Sequence, residues 1–112
     1  MKISDIVSIL GIEVISGQQG LSNEIKGCYV SDLLSDVMGN AREGEVWITL
    51  QTHQNIIAVA SLKDLAGIIL VKGLVPEEDT ADRSNASGVP VLSTGLDTFS
   101  VAGRMYELLK KE

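Results

Sequence analysis

Three short runs, Val46–Leu50, Ala66–Val71 and Val89–Leu92, are almost uninterrupted in apolar residues, and they constrain the fold more than anything else in the chain. A strand with one wet face alternates apolar and polar residues. A run that is apolar at nearly every position fits a strand covered on both faces, as in a parallel sheet. Segments of different character separate these runs. Ile56 to Leu62 reads as a compact apolar helix whose Ala58 and Ala60 allow close packing on a sheet. Pro76-Glu77-Glu78-Asp79 opens another helix, Arg83 lies near its far end, and Gly88 stops it. Proline suits the first helical position, and the carboxylates suit the positive end of the helix dipole. Strands alternating with helices over short connections imply parallel βαβ crossovers and a layered α/β domain.

The remaining segments extend this pattern. Ile3, Ile6, Val7 and Leu10 recur at helical spacing, and Gly11 follows as a stop signal. Ile12 to Ile15 reads as a short strand, 16–20 as a turn, and 24–30 as a strand around Ile25, Cys28 and Val30. Leu33, Leu34, Val37 and Met38 form one helical face with Ser31 or Asp32 as its N-cap. The last helix runs from about Asp97 to Lys110 with Val101, Met105, Leu108 and Leu109 inward. The expected fold class is α/β: a single compact layered domain over residues 1–112, with a mostly parallel sheet flanked by helices. Pro90 cannot donate to a ladder, so its strand is expected at an edge.

Charge and residue usage narrow the function. Fifteen acidic residues against nine basic ones give a formal charge of −6, which repels a phosphodiester backbone, and Lys110-Lys111 is the only adjacent basic pair. Trp47, Phe99, Tyr29 and Tyr106 are too few to line a single-strand stacking groove. No nucleic-acid partner is expected. No apolar run reaches the roughly 20 residues that span a bilayer, and the first residues lack a signal-peptide pattern. No membrane partner is expected, and the expected location is cytoplasmic. Cys28 is the lone cysteine and reads as a small buried side chain in a strand.

In open α/β sheets, ligands bind beyond the carboxyl ends of the strands, where helix N-termini also point. That rule selects Ser31-Asp32, Gln51 to Asn55, Lys72-Gly73 and Ser93 to Thr98. The candidate ligand residues are Ser31, Asp32, Thr52, His53, Asn55, Lys72, Thr94, Asp97 and Thr98. Each of Ser31, Asp32, Thr94, Asp97 and Thr98 is equally what an ordinary helix cap requires. The stretch Gln51-Thr52-His53-Gln54-Asn55 is richer in hydrogen-bonding groups than capping needs, and it holds the only histidine.

Catalytic patterns fail. Gly39 and Gly44 have P-loop glycine spacing, but Glu45-Val46 stands where Lys-Ser/Thr belongs. The chain has no G-x-G-x-x-G, H-E-x-x-H, C-x-x-C or G-x-S-x-G pattern. No metal, cofactor or enzymatic activity is expected.

The segments Ile48-Thr49-Leu50-Gln51-Thr52-His53-Gln54-Asn55-Ile56, Gly67-Ile68-Ile69-Leu70-Val71-Lys72-Gly73-Leu74 and Gly88-Val89-Pro90-Val91-Leu92-Ser93-Thr94, with Asp97-Thr98-Phe99 beyond, resemble the DRTGG domain. That family accompanies CBS domains, including in regulated pyrophosphatases, and is similar to the N-terminal domain of HPr kinase/phosphorylase. The resemblance implies a non-catalytic regulatory domain, often a homodimer. This chain departs from the family signature in two places. Thr52-His53 stands where Asp-Arg is common, and Lys72-Gly73 where a Gly-Gly pair is common. Asp82-Arg83-Ser84 mimics the family name but lies inside a helix.

Two readings follow. The first is a domain that senses a nucleotide or phosphorylated metabolite at the strand ends. The alternative is a protein-interaction or dimerisation module acting in trans on a partner enzyme, which predicts an exposed apolar patch with Trp47 or Tyr106 in it and no pocket. An enzyme using His53 as a base would need a carboxylate oriented against that ring.

Overall fold

The register of the three apolar runs organises the molecule, and the computed structural model describes residues 1–111. The elements are α1 (Ile3–Leu10), β1 (Glu13–Ser16), a 3-10 turn (Gln18–Gly20), β2 (Gly27–Val30), α2 (Leu34–Asn40), β3 (Glu45–Thr49), α3 (Asn55–Leu62), β4 (Gly67–Leu70), α4 (Glu78–Ser87), β5 (Val91–Ser93) and α5 (Thr98–Lys110). The strands form one sheet in the order β1-β5-β4-β3-β2. β2, β3, β4 and β5 are mutually parallel, and β1 alone runs antiparallel, beside β5. This is the α/β architecture the sequence predicts.

The apolar strands read continuously because they feed two cores. Val46, Ile48, Ile69, Val71 and Leu92 face α1 and α5, joining Ile3, Ile6, Val101 and Met105. Trp47, Ile68, Leu70 and Val91 face the opposite side, joining Val37 of α2 and Ile56, Ile57 and Ala60 of α3. Successive residues therefore alternate between two buried layers, as the pleat demands. The crossovers β2–α2–β3, β3–α3–β4 and β4–α4–β5 all step in one direction along the sheet, so right-handedness puts their helices on one face. The other face is covered by α1 and α5.

Gly11 and Gly88 end α1 and α4 in the left-handed conformation, with φ of 64° and 77°. α4 is polar outside and buries two hydroxyls, Thr80 and Ser84, each satisfied by a backbone carbonyl: Thr80 donates to Thr52 and Ser84 to Val89.

Four expectations need correction. The Pro90 strand is not at an edge: β5 lies between β1 and β4. Pro90 precedes the paired residues, and its carbonyl accepts from Ile68 at 2.8 Å, so the missing N–H costs the ladder nothing. Trp47 is fully buried rather than part of a surface patch, with its indole N–H donating to the Ser31 carbonyl at 2.7 Å. Neither Ser31 nor Asp32 is the N-cap of α2: that position is Leu33, while the Ser31 hydroxyl accepts from the Leu33 N–H and the Asp32 carboxylate is turned to the end of β3, at Thr49 and Leu50. Pro76 lies outside α4, whose N-cap is Glu77.

Candidate functional site

The four segments chosen from the sequence do share one rim of the sheet. β2, β3, β4 and β5 are parallel, so Ser31-Asp32, Gln51 to Asn55, Lys72-Gly73 and Ser93 to Thr98 all leave the same end. The rim divides into a part latched by side chains and a part joined chiefly through backbone hydrogen bonds.

Between β2 and β3 the rim is latched. The Asp32 carboxylate accepts from the Leu50 N–H at 2.7 Å and from the Thr49 hydroxyl at 3.0 Å. Gln51 donates back to the Asp32 carbonyl at 2.8 Å. The Ser31 hydroxyl accepts from the Leu33 N–H at 3.2 Å. Nearby, the Tyr29 hydroxyl donates to Asp36 at 2.9 Å, and Asn40 donates to the same carboxylate at 3.0 Å. The Ser31 hydroxyl, then Tyr29 and Asn40, hold the Asp36 carboxyl below its ordinary range. The hydrogen bond to Asp36, with the nearby negative charge, raises Tyr29.

His53 is exposed, and its Nδ1 accepts from the Asn55 N–H at 3.2 Å. That bond serves an orphan donor at the start of α3, which is the work of a cap. The Thr52 carbonyl receives Glu77 N–H and the Thr80 hydroxyl, tying the rim to α4. Asn55 is exposed on the first turn of α3.

The second part lies between β4 and β5. β4 leads to α4 on one face and β5 to α5 on the other, so the chain leaves adjacent strands towards opposite faces. Ligands of open α/β sheets bind beside such a divergence. Lys72 and Gly73 follow one another in the left-handed region, at φ of 57° and 72°. This pair turns the chain so that Lys72 N–H reaches the Leu96 carbonyl and Gly73 N–H the Thr94 carbonyl, both at 2.8 Å. Thr94 is buried and accepts from Leu96 N–H at 3.2 Å. Asp97 caps α5 by accepting from Ser100 N–H at 2.8 Å, and Thr98 begins the helix half-buried. The Asp97 carboxyl is held below its ordinary range, chiefly by the backbone and hydroxyl of Ser100, with the Lys72 charge adding.

Two apolar clefts flank α5, one of them reaching the rim at Leu96, and neither is signalled by the strand-end rule. One, of about 530 Å³, runs between α1 and α5 and is lined by Ile9, Leu10, Leu96, Phe99 and Leu108 with Arg104 and Glu107. The other, of about 480 Å³, lies between α5 and β2 and is lined by Cys28, Val30, Ala102, Tyr106, Leu109 and Lys110. Phe99 is 89% exposed and Tyr106 66%. Their seven-residue spacing, two turns apart on the outer side of α5, was a readable signal. Cys28 lies in a strand as expected but is only partly buried, and burial next to Glu45 pushes its thiol up to about 12. Among the described residues no His, Cys, Asp and Glu cluster could hold a metal ion, and no helix is long and apolar enough to cross a membrane.

A mostly parallel sheet covered on both faces and carrying a polar, heavily capped strand-end rim defines a small three-layer α/β domain. The chain belongs to the DRTGG domain family, whose model matches residues 5–108. Its fold is similar to a crystal structure of the CBS and DRTGG domains of the regulatory region of Clostridium perfringens pyrophosphatase, complexed with the activator diadenosine tetraphosphate. The TM-score is 0.71 at 18% identity, over 93% of this chain and 45% of the other, so this chain spans less than half of that region. Comparison with curated proteins finds no match.

Proposed function

We propose that residues 1–112 act as one cytoplasmic regulatory module with no reaction of its own, and that it responds to a nucleotide or other phosphorylated metabolite. The ligand sits at the divergence of β4 and β5, against Lys72, Thr94, Asp97 and Thr98, with Thr52, His53 and Asn55 on the adjoining rim. Ser31 and Asp32 support that rim by latching β2 to β3. The divergence of the two exits is the observation that carries this reading. Family membership and the nucleotide-activated regulatory region of similar fold support the regulatory role.

Electrostatics make the reading sharp. A phosphate approaching the Lys72 ammonium also meets the Asp97 carboxylate beside it. Asparagine caps a helix as well as aspartate does, so Asp97→Asn removes the competing charge and keeps the cap. The test is a thermal-shift titration with ATP, ADP, diadenosine tetraphosphate and inorganic phosphate. A probe at a hundredfold over its dissociation constant adds about 2.7 kcal/mol, several degrees for a domain of this size. Lys72→Ala combined with His53→Ala should abolish the shift, and Asp97→Asn should enlarge it. A midpoint that no probe moves, or a shift that survives the double variant, overturns this site.

The exposed Phe99 and Tyr106 favour a second reading, contact with a partner enzyme in trans. On that reading Phe99→Ser leaves the melting midpoint and any nucleotide response intact while abolishing co-purification with the enzyme.

A further inference from the structure

α5 carries a glycine that nothing inside the molecule requires. Gly103 is exposed in the middle of the helix, where glycine weakens helical backbone relative to alanine. A Cβ placed on it would meet no atom within 4 Å, so no close packing in this chain accounts for it. Its φ lies outside the left-handed region, so no turn demands it either.

The surroundings of Gly103 are apolar. Phe99 stands one turn before it and Tyr106 nearly one turn after, both largely exposed. The cleft against α1 opens on one side, at Ile9, Leu96 and Leu108. The cleft against β2 opens on the other, at Ala102 and Leu109. Gly103 is therefore a low saddle between two apolar hollows. An enclosed small-molecule pocket would bury Phe99, whereas this broad surface leaves its ring in water and suits a second polypeptide. Helices pack about 8–10 Å apart according to the side chains at the crossing, and a glycine there permits the closest approach.

Charge selects the occupant. The chain as a whole is acidic, at −6. Along α5 and the residue after it, Arg104, Lys110 and Lys111 face a single carboxylate, Glu107, and all four are exposed. Among the described residues, none of these four side chains has a hydrogen bond or an ion pair. A basic strip beside an apolar saddle complements an acidic amphipathic helix, whose anchors recur at i, i+4 and i+7.

We propose that α5 docks an acidic amphipathic helix of another protein, which crosses it at Gly103 and seats apolar side chains in the two clefts. Its acidic flanks meet Arg104, Lys110 and Lys111. The inference rests on the reading in which this face contacts a partner in trans, and it is independent of the nucleotide site.

The experiment is fluorescence anisotropy of the full chain with labelled, stapled helices of roughly five turns. One carries leucine at i, i+4, i+7 and i+11 and glutamate on its outer positions, and a second has lysine in place of each glutamate. The acidic helix should bind in the micromolar range and the basic one at least about tenfold more weakly. Gly103→Ala should raise the melting midpoint by about 4 °C and yet weaken the acidic helix, because a methyl that suits the lone helix obstructs the crossing. Gly103→Leu should abolish binding, and Arg104→Glu with Lys110→Glu should invert the charge preference. Equal binding of the two helices overturns the proposal, as does binding that survives Gly103→Leu. A midpoint that falls in Gly103→Ala also overturns it, by assigning the glycine to this chain's own packing. Self-association of the chain that Gly103→Leu abolishes, seen by sedimentation equilibrium, makes a second copy the occupant and overturns the foreign helix. Phe99→Ser separates this inference from the reading beneath it. If Phe99→Ser weakens both helices and Gly103→Leu weakens neither, the face still takes a partner and only the crossing is wrong. If neither helix binds at millimolar concentration, the partner reading falls with it.

Discussion

The two edges of the sheet have similar lengths and opposite fates, and the difference lies in what each strand is fastened to. β1 is sewn to the body behind it: Ser16 donates to the Ser84 hydroxyl at 2.8 Å, Ser84 donates to the Val89 carbonyl at 2.6 Å, and the Gly17 N–H donates to Asn85 at 2.8 Å. β2 pairs with β3 and packs on α5, and its side-chain hydrogen bonds are the Tyr29–Asp36 bond and, just beyond the strand, the Asp32 latch. The β1 edge is closed by side-chain hydrogen bonds to α4, whereas β2 depends on its strand pairing and on apolar packing.

The largest effect that could break this contrast is at Gly17. Its φ of 70° is unfavourable for any residue with a side chain, and an added Cβ would stand 2.2 Å from the Val89 carbonyl oxygen. Gly17→Ala should therefore cost about 3 kcal/mol, a fall in Tm on the order of 10–20 °C by calorimetry. An unchanged Tm would mean that the β1 edge is not closed as described.

Ser84→Ala ranks next. It leaves the Ser16 hydroxyl and the Val89 carbonyl without their buried partner and should cost about 2 kcal/mol in urea unfolding, with the m-value unchanged. A neutral outcome would place no weight on the hydroxyl chain.

Tyr29→Phe on the β2 edge should have the smallest effect, and it is dependent on pH. Asp36 is depressed in the folded state, so its contribution is present above the ordinary carboxylate value and lost as pH falls through the folded one. Tyr29 is raised, so its contribution is present below the ordinary phenol value and lost as pH rises through the folded one. The Tm difference between wild type and variant should be widest between about pH 5 and 9 and shrink on both sides. A constant difference across that range would assign the effect to packing alone.

The apolar runs by themselves determined the parallel sheet with two buried faces, because residues apolar at every position can be satisfied only by cover on both sides. Gly11 and Gly88 determined where two helices stop, since left-handed backbone favours glycine. The Asp97 cap was legible for the same local reason. Strand order was not legible: Pro90 argued for an edge, but β1 returns antiparallel beside β5, and Pro90 lies just before the paired residues. Trp47 lies in a run whose pattern reads as covered on both faces, which excludes it from a surface patch; the packed chain adds the Ser31 carbonyl that accepts its indole N–H. The rim was legible as a set of positions, since strand ends in a parallel sheet must gather at one end. Which of its groups were already engaged was decided by contacts between residues far apart in sequence, Asp32 with Leu50 and Thr52 with Thr80. Local chemistry fixes caps and periods, and only the packed chain determines which polar groups find each other and which edge is tied down by them.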